Sequence, residues 1–192
     1  DLGLLIRLGQ LTQMLGQAVA EARGDDSETV EAAGVAINIP ADFFLDEEYL
    51  PRVDERVLAY RKLAAADDLE SVDRLQEETE AAHGELPQAG LNLFDRARIR
   101  IRAERLGLES VTLSGGRLTF LGVDVPKNVA FDLKDRLGAV VFPRSRKLSI
   151  PYRTGAGAGS GVGRGLNADD ERGPVAAALA VLCQLGASGD DD

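Results

Sequence analysis

Apolar residues recur at Leu4, Leu8, Leu11, Leu15 and Val19, a spacing that predicts an amphipathic helix over residues 2–23, closed by Gly24 and followed by the polar run Asp25 to Thr29. The chain enters this periodicity without a methionine, so it is expected to be a piece of a longer polypeptide. Val35 to Ile39 alternates as a short strand that Pro40 stops by removing a ladder donor. Beyond the connector Ile37-Asn-Ile-Pro-Ala-Asp-Phe-Phe-Leu-Asp-Glu-Glu-Tyr-Leu-Pro51, a helix is predicted with Pro51 in its first turn. Val53, Val57, Tyr60 and Ala64 would share its inner face. Asp67 and Asp68 are expected to stop that helix and cap the next, which runs to His83 and ends at Gly84.

Leu86-Pro87 turns the chain into a third helix, predicted over residues 88–106 and closed by Gly107. Its middle, Arg96-Ala-Arg-Ile-Arg-Ile-Arg102, alternates as an exposed strand would. Length and the stripe Leu91, Phe94, Ala97 and Ile101 favour helix. Residues 110–113 and 117–121 flank Gly115-Gly116, a hairpin signal. A short helix over 128–137, strands over 139–142 and 147–151, and an apolar helix over 174–185 complete the pattern. Helices segregate from strands, so the expected fold is α+β, with helices packed on a small, mainly antiparallel sheet behind a leading amphipathic helix. The expected organisation is a leading helix and linker (1–30), a core domain (31–154), a Gly-rich flexible loop (155–167), and a terminal helix with an acidic tail (168–192).

Composition narrows the chemistry. Thirty-two acids against 22 bases give a net charge of −10, which argues against gripping a phosphate backbone and for a basic or amphipathic protein partner. No apolar run is long enough for a membrane span and no secretory leader is present, so the cytoplasm is the expected compartment. Single residues of each kind, Cys183 and His83, read as structural, since neither a disulfide nor a His/Cys zinc site can be assembled from them. In Gly155-Ala-Gly-Ala-Gly-Ser-Gly-Val-Gly-Arg-Gly165 every glycine sits at an odd position. Dinucleotide and phosphate loops need glycines five apart, so the stretch reads as a linker without a cofactor.

Asp46-Glu47-Glu48 and Asp190-Asp-Asp192 lack calcium-loop spacing and read as solvated acids. No nucleophile elbow, Cys-x-x-Cys pair or His-Glu-x-x-His helix occurs, so no catalytic residue is expected. The arginines at 96, 98, 100, 102 and 105 are the alternative site. Arg98, Arg102 and Arg105 share one helix face and could meet nucleic acid or a protein partner, but no aromatic accompanies them to stack a base.

The ordered series Asn38-Ile-Pro-Ala-Asp42, Leu45, Glu48-Tyr-Leu-Pro51, Arg56 and Tyr60-Arg-Lys-Leu-Ala64 closely resembles the C-terminal domain of the transcription-repair-coupling factor, Mfd. The likeness continues through Ala97-Arg-Ile-Arg100 and Glu104-Arg-Leu-Gly-Leu108, covering residues 36–122. It implies a regulatory, non-catalytic module of an ATP-driven DNA translocase whose ATP and Mg are bound elsewhere. In that family the domain packs on a UvrB-like module of the same protein and masks its UvrA-binding surface until stalled RNA polymerase is met. The family's contact stretch Glu-Leu-x-Asp-Arg-Phe-Gly corresponds here to Glu78-Thr-Glu-Ala-Ala-His-Gly84. The resemblance therefore implies Glu78 as the interdomain contact, with Glu80 or Glu77 as compensating acids and Ala81, Ala82 and His83 as departures. The connector is expected to be scaffold, with Pro40 and Pro51 as stiff corners and Phe43, Phe44 and Tyr49 as packing.

Overall fold

The computed structural model describes residues 34–153, 166–167 and 173–187. The expected leading helix, its polar linker, most of the Gly-rich stretch and the acidic tail lie outside these residues. Strand β1 (Ala36–Asn38) is followed by the connector and three helices, α1 (Val53–Ala65), α2 (Leu69–His83) and α3 (Gln88–Arg105). The hairpin β2 (Ser110–Ser114) and β3 (Arg117–Leu121) comes next. Then follow α4 (Lys127–Leu137), β4 (Val140–Phe142), β5 (Lys147–Arg153), the two-residue β6 (Leu166–Asn167) and α5 (Gly173–Ala187). The fold is α+β, as the segregation of periodicities predicts.

The strands lie in the order β1-β2-β3-β5-β4, with β6 beside β5. β2, β3, β5 and β4 pair antiparallel, whereas β1 runs parallel to β2 with Ile37 opposite Val111. A parallel pair needs a crossover. The connector and α1–α3 supply it, and this is how a helical layer arises between two neighbouring strands. Gly115 and Gly116 both hold positive φ, 56° and 67°, which is the two-residue turn whose twist suits a tight hairpin. β6 falls within the stretch expected to be a featureless loop; Leu166 and Asn167 extend the ladder beside Tyr152 and Arg153.

Alternation along the strands sends Val111, Leu118, Phe120, Leu148 and Ile150 to one face, where all are buried. Ile99 and Ala103 of α3, Val129 and Leu133 of α4, and Val175, Ala178, Val181, Leu182 and Leu185 of α5 close over that face. A second cluster, built from Leu45, Leu50, Ala59, Leu63, Val72, Leu75, Leu86, Phe94, Ala97 and Ile101, lies among the connector and α1–α3. Helix α3 belongs to both. Residues two apart on a helix are about 200° apart around its axis, so Ala97 and Ile101 face the helical cluster while Ile99 and Ala103 face the sheet. The alternation that resembles a strand is thus the pattern of a helix buried on two opposite sides.

The inner face of α1 differs from expectation. Ala59 and Leu63 are the buried positions of the helix, while Val53, Val57 and Ala64 are exposed. The helix also starts at Val53 with Arg52 as its cap, so Pro51 precedes its first turn. A polar clamp sets this rotation. Arg56 Nη1 donates to the Leu50 carbonyl at 2.6 Å and its Nη2 to Glu47 Oε1 at 3.2 Å, while the Leu45 amide donates to the Tyr60 hydroxyl at 2.9 Å. With Arg56 and Tyr60 turned to the connector, Val53 and Val57 are carried outward.

Candidate interaction surface on the first two helices

The connector forms the base of the surface. Leu45 and Leu50 are its buried anchors, while Asp46 caps the turn between them by accepting the Tyr49 amide on Oδ1 at 2.7 Å. Asn92 of α3 donates to the Asp42 carbonyl at 3.1 Å, and Arg96 lies over the Phe43 ring at 5.0 Å. The segment is therefore tied to the helices at several points, as a scaffold should be. Phe44 is the exception, being 46% exposed: successive residues of an extended segment face opposite ways, and Phe43 takes the inward one.

Asp68 caps α2 as its position predicts, accepting from the Ser71 amide at 2.7 Å and the Ser71 hydroxyl at 2.9 Å. These bonds, the backbone one foremost, hold its carboxyl below the ordinary aspartate range. The other end of α2 closes at Gly84, with φ 88° and ψ −171°, a conformation open essentially to glycine alone. Its carbonyl accepts the Tyr49 hydroxyl at 2.7 Å, and the Tyr49 and His83 rings lie 6.0 Å apart. Burial, followed by the nearby negative charge of Glu80, raises the Tyr49 phenol above its ordinary pKa, keeping it a donor.

Between α1 and α2 lies an open groove of about 150 Å³, floored by Leu50, Leu58, Ala59, Leu75 and Ala82 and rimmed by Glu55, Lys62 and Glu78. Leu58 is 53% exposed and Val53 and Val57 continue the apolar strip along α1. Glu78 stands on the rim with 59% of its side chain exposed and a long contact of 3.9 Å to Lys62 Nζ. Contacts of that kind contribute little, which leaves the carboxylate available. Glu80 points elsewhere and accepts from Gln76 Nε2 at 3.0 Å; Glu77 is exposed. The three candidate acids are therefore not brought together, and Glu78 alone lines the groove. The helical turn between them explains the separation. The apolar strip Val53, Val57 and Leu58 escaped sequence reasoning because its periodicity imitates a buried face.

The arginine series is mostly engaged within the molecule. Arg98 Nη2 and Nε meet Asp73 Oδ1 at 2.7 and 2.9 Å, and Nη1 meets Asp95 at 2.9 Å. Arg100 Nη2 donates to the Ala66 carbonyl at 2.6 Å and to the Leu63 carbonyl at 3.3 Å, tying down the C-terminal end of α1. Among the described residues no group of three or more His, Cys, Asp or Glu is placed to hold a metal, and no helix is long and apolar enough to cross a membrane. His83 has the Tyr49 ring as its neighbour and lines the groove edge; Cys183 is half-buried on α5.

A family model described as the TRCF domain matches residues 39–136. The chain is similar to a transcription-repair-coupling factor of Staphylococcus epidermidis, 26% identical over 104 residues that make up 54% of this chain and 9% of that protein. It is likewise similar to a transcription-repair-coupling factor of Staphylococcus aureus, 23% identical over 145 residues, 75% of this chain and 12% of that protein. The chain thus spans about a tenth of the length of these relatives. A solved structure described as the C-terminal domain of a transcription-repair coupling factor has the same fold, with a TM-score of 0.55 at 13% identity, covering 82% of this chain and 97% of that one.

Proposed function

The chain belongs to the TRCF-domain family, and from that premise we propose that it is the autoinhibitory module of a transcription-repair-coupling factor, acting by surface contact and without chemistry of its own. Within its parent it packs through the α1–α2 face on the UvrB-like module and masks the UvrA-binding surface until stalled RNA polymerase is engaged. The parent supplies ATP-driven translocation on DNA, displaces the polymerase and recruits excision repair. The observation that carries this reading is the groove rim. Glu78, at the position where the family's contact stretch has its glutamate, stands exposed beside an apolar floor and is held only loosely by Lys62.

A carboxylate at the edge of an apolar strip sets register and attraction, while the strip supplies buried area. A latch must also open, so the coupling belongs in the range of about 1–3 kcal/mol, which polymerase or DNA engagement can overcome. Mixing this chain with the UvrB-like module of its parent should give binding that weakens as salt rises. Glu78→Arg should weaken it roughly tenfold at low ionic strength. Binding indifferent to both salt and Glu78→Arg would remove Glu78 from the contact.

A further inference from the structure

The two faces of the sheet differ in more than burial. Opposite the face that carries Val111, Leu118, Phe120, Leu148 and Ile150, the alternate positions of the strands from Ala36 to Pro151 are all exposed or half-exposed except Ser149. No Asp or Glu stands among them, in a chain with 32 acids in 192 residues. Thr119, Ser149 and Val140 form one cross-strand row of this outer face, and Leu121, Lys147 and Phe142 form the next. Arg117 reaches into the first row: its Nε donates to Ser149 Oγ at 2.8 Å and its Nη2 to the Ser149 carbonyl at 3.3 Å. Lys147 Nζ lies 5.6 Å from the centre of the Phe142 ring. Both cations are thereby held by uncharged groups, and neither makes an ion pair among the described residues.

Solubility would explain these cations if acids were interspersed with them. A face that carries cations alone, fixed in place by neutral groups, keeps its positive field uncompensated. The sequence around it has the same sign, since residues 140–153 hold four bases and no acid. The fitting partner is anionic, and its shape follows from the register. Ser149, under the guanidinium, and Phe142, under the ammonium, are diagonal neighbours, about 7–8 Å apart at the backbone. Residues i and i+2 of an extended chain share a face and are about 6.7 Å apart. Val140 and Phe142, 43% and 45% exposed, offer apolar contact at the end of the same rows. A nucleic-acid strand fits less well. It draws its affinity from several stacking aromatics, and this face has Phe142 alone, on a chain of net charge −10 that repels a polyanion.

We infer that the outer face of the sheet docks an extended acidic segment of a partner protein. Carboxylates at alternate positions of that segment meet Arg117 and Lys147, and an apolar side chain packs on Val140 and Phe142. The surface shares no residue with the groove between α1 and α2. The probe is the peptide Glu-Ser-Glu-Ser-Leu-Ser-Leu, titrated at low salt into the full chain labelled for nuclear magnetic resonance. The amides of Thr119, Val140, Phe142, Lys147 and Ser149 shift in a saturable way, and those of α1 and α2 stay in place. Lys147→Glu raises the peptide concentration at half-saturation roughly tenfold, and Arg117→Gln raises it roughly threefold. Should Lys147→Glu disturb the ladder, Arg117→Gln, which keeps a donor for Ser149, carries the test. Lys134→Glu, an equal change of charge at an exposed position of α4, leaves binding unchanged. No saturable shift, an equal response to the peptide with Gln in place of Glu, or a loss in Lys134→Glu as large as in Lys147→Glu would overturn the inference. So would binding of oligothymidylate at these amides as tight as that of the peptide, which would assign the face to nucleic acid.

Discussion

The two sides of α3 are built on different principles. Toward the sheet, side chains such as Phe120, Leu118, Leu148 and Ile150 are wholly buried, and three helices cover one face of a paired ladder. Toward α1 and α2 the apolar cluster is smaller, and much of the attachment is polar: Arg56 on the Leu50 carbonyl, Tyr60 on the Leu45 amide, Arg98 on Asp73, Arg100 on the end of α1. Exposed apolar side chains occur on both sides, Val53, Val57 and Leu58 on this one and Phe131, Val140 and Phe142 on the other, so the mode of attachment is what separates them. A tightly packed half resists change, because interiors at crystal-like density relax little. A thin layer held largely by hydrogen bonds yields more easily and is the half suited to meet a partner.

The contrast can be broken most forcefully from the sheet side. Phe120→Ala should cost about 3–5 kcal/mol and lower the urea midpoint of the whole domain, since the ring is fully buried between β2 and β5. A smaller and more local effect is expected from Arg100→Met. Removing the donor leaves the Leu63 and Ala66 carbonyls without it at about 1.5–3 kcal/mol for hydrogen bonds to a charged group. Amide exchange should then quicken in α1 while β3 and β5 keep their protection; uniform loss across the sheet would show that the two halves are not energetically distinct.

Smallest is the cap. The folded Asp68 carboxyl titrates below its unfolded value because the Ser71 amide and hydroxyl bind the ionised form. Its stabilisation is therefore complete above the unfolded carboxylate pKa and fades as pH falls through the folded one. Asp68→Ala should lower the melting temperature slightly at pH 7 and make no difference once both states are protonated. A deficit that persists unchanged into strong acid would contradict the assigned bonds.

Local signals were the legible ones. Gly115-Gly116 announces the hairpin, Asp68 and Gly84 mark the ends of α2, and the connector's motif series places the chain beside its relatives. What the sequence hides depends on distant partners. The parallel pairing of Ile37 with Val111 joins segments more than seventy residues apart, and no local pattern encodes it. Arg96 to Arg102 alternates because α3 is buried on two sides, a fact fixed only when both layers are present. The apolar face of α1 misleads for a related reason: periodicity reveals which residues align, while Arg56 and Tyr60 decide which way they turn. Of the three candidate acids, Glu78 is the one that lines the groove between α1 and α2, a placement that the spacing of acids along α2 cannot convey.

The central claim is that the α1–α2 face, with Glu78 on its rim, is the surface that meets the UvrB-like module. Hydrogen exchange of this chain, alone and with that module in excess, tests it most directly. The account predicts new protection confined to the connector end, α1 and α2, with β3 and β5 unchanged, and its loss in Glu78→Arg. Protection centred on the exposed sheet face around Val140 and Phe142, with α1 and α2 unaffected, would contradict it.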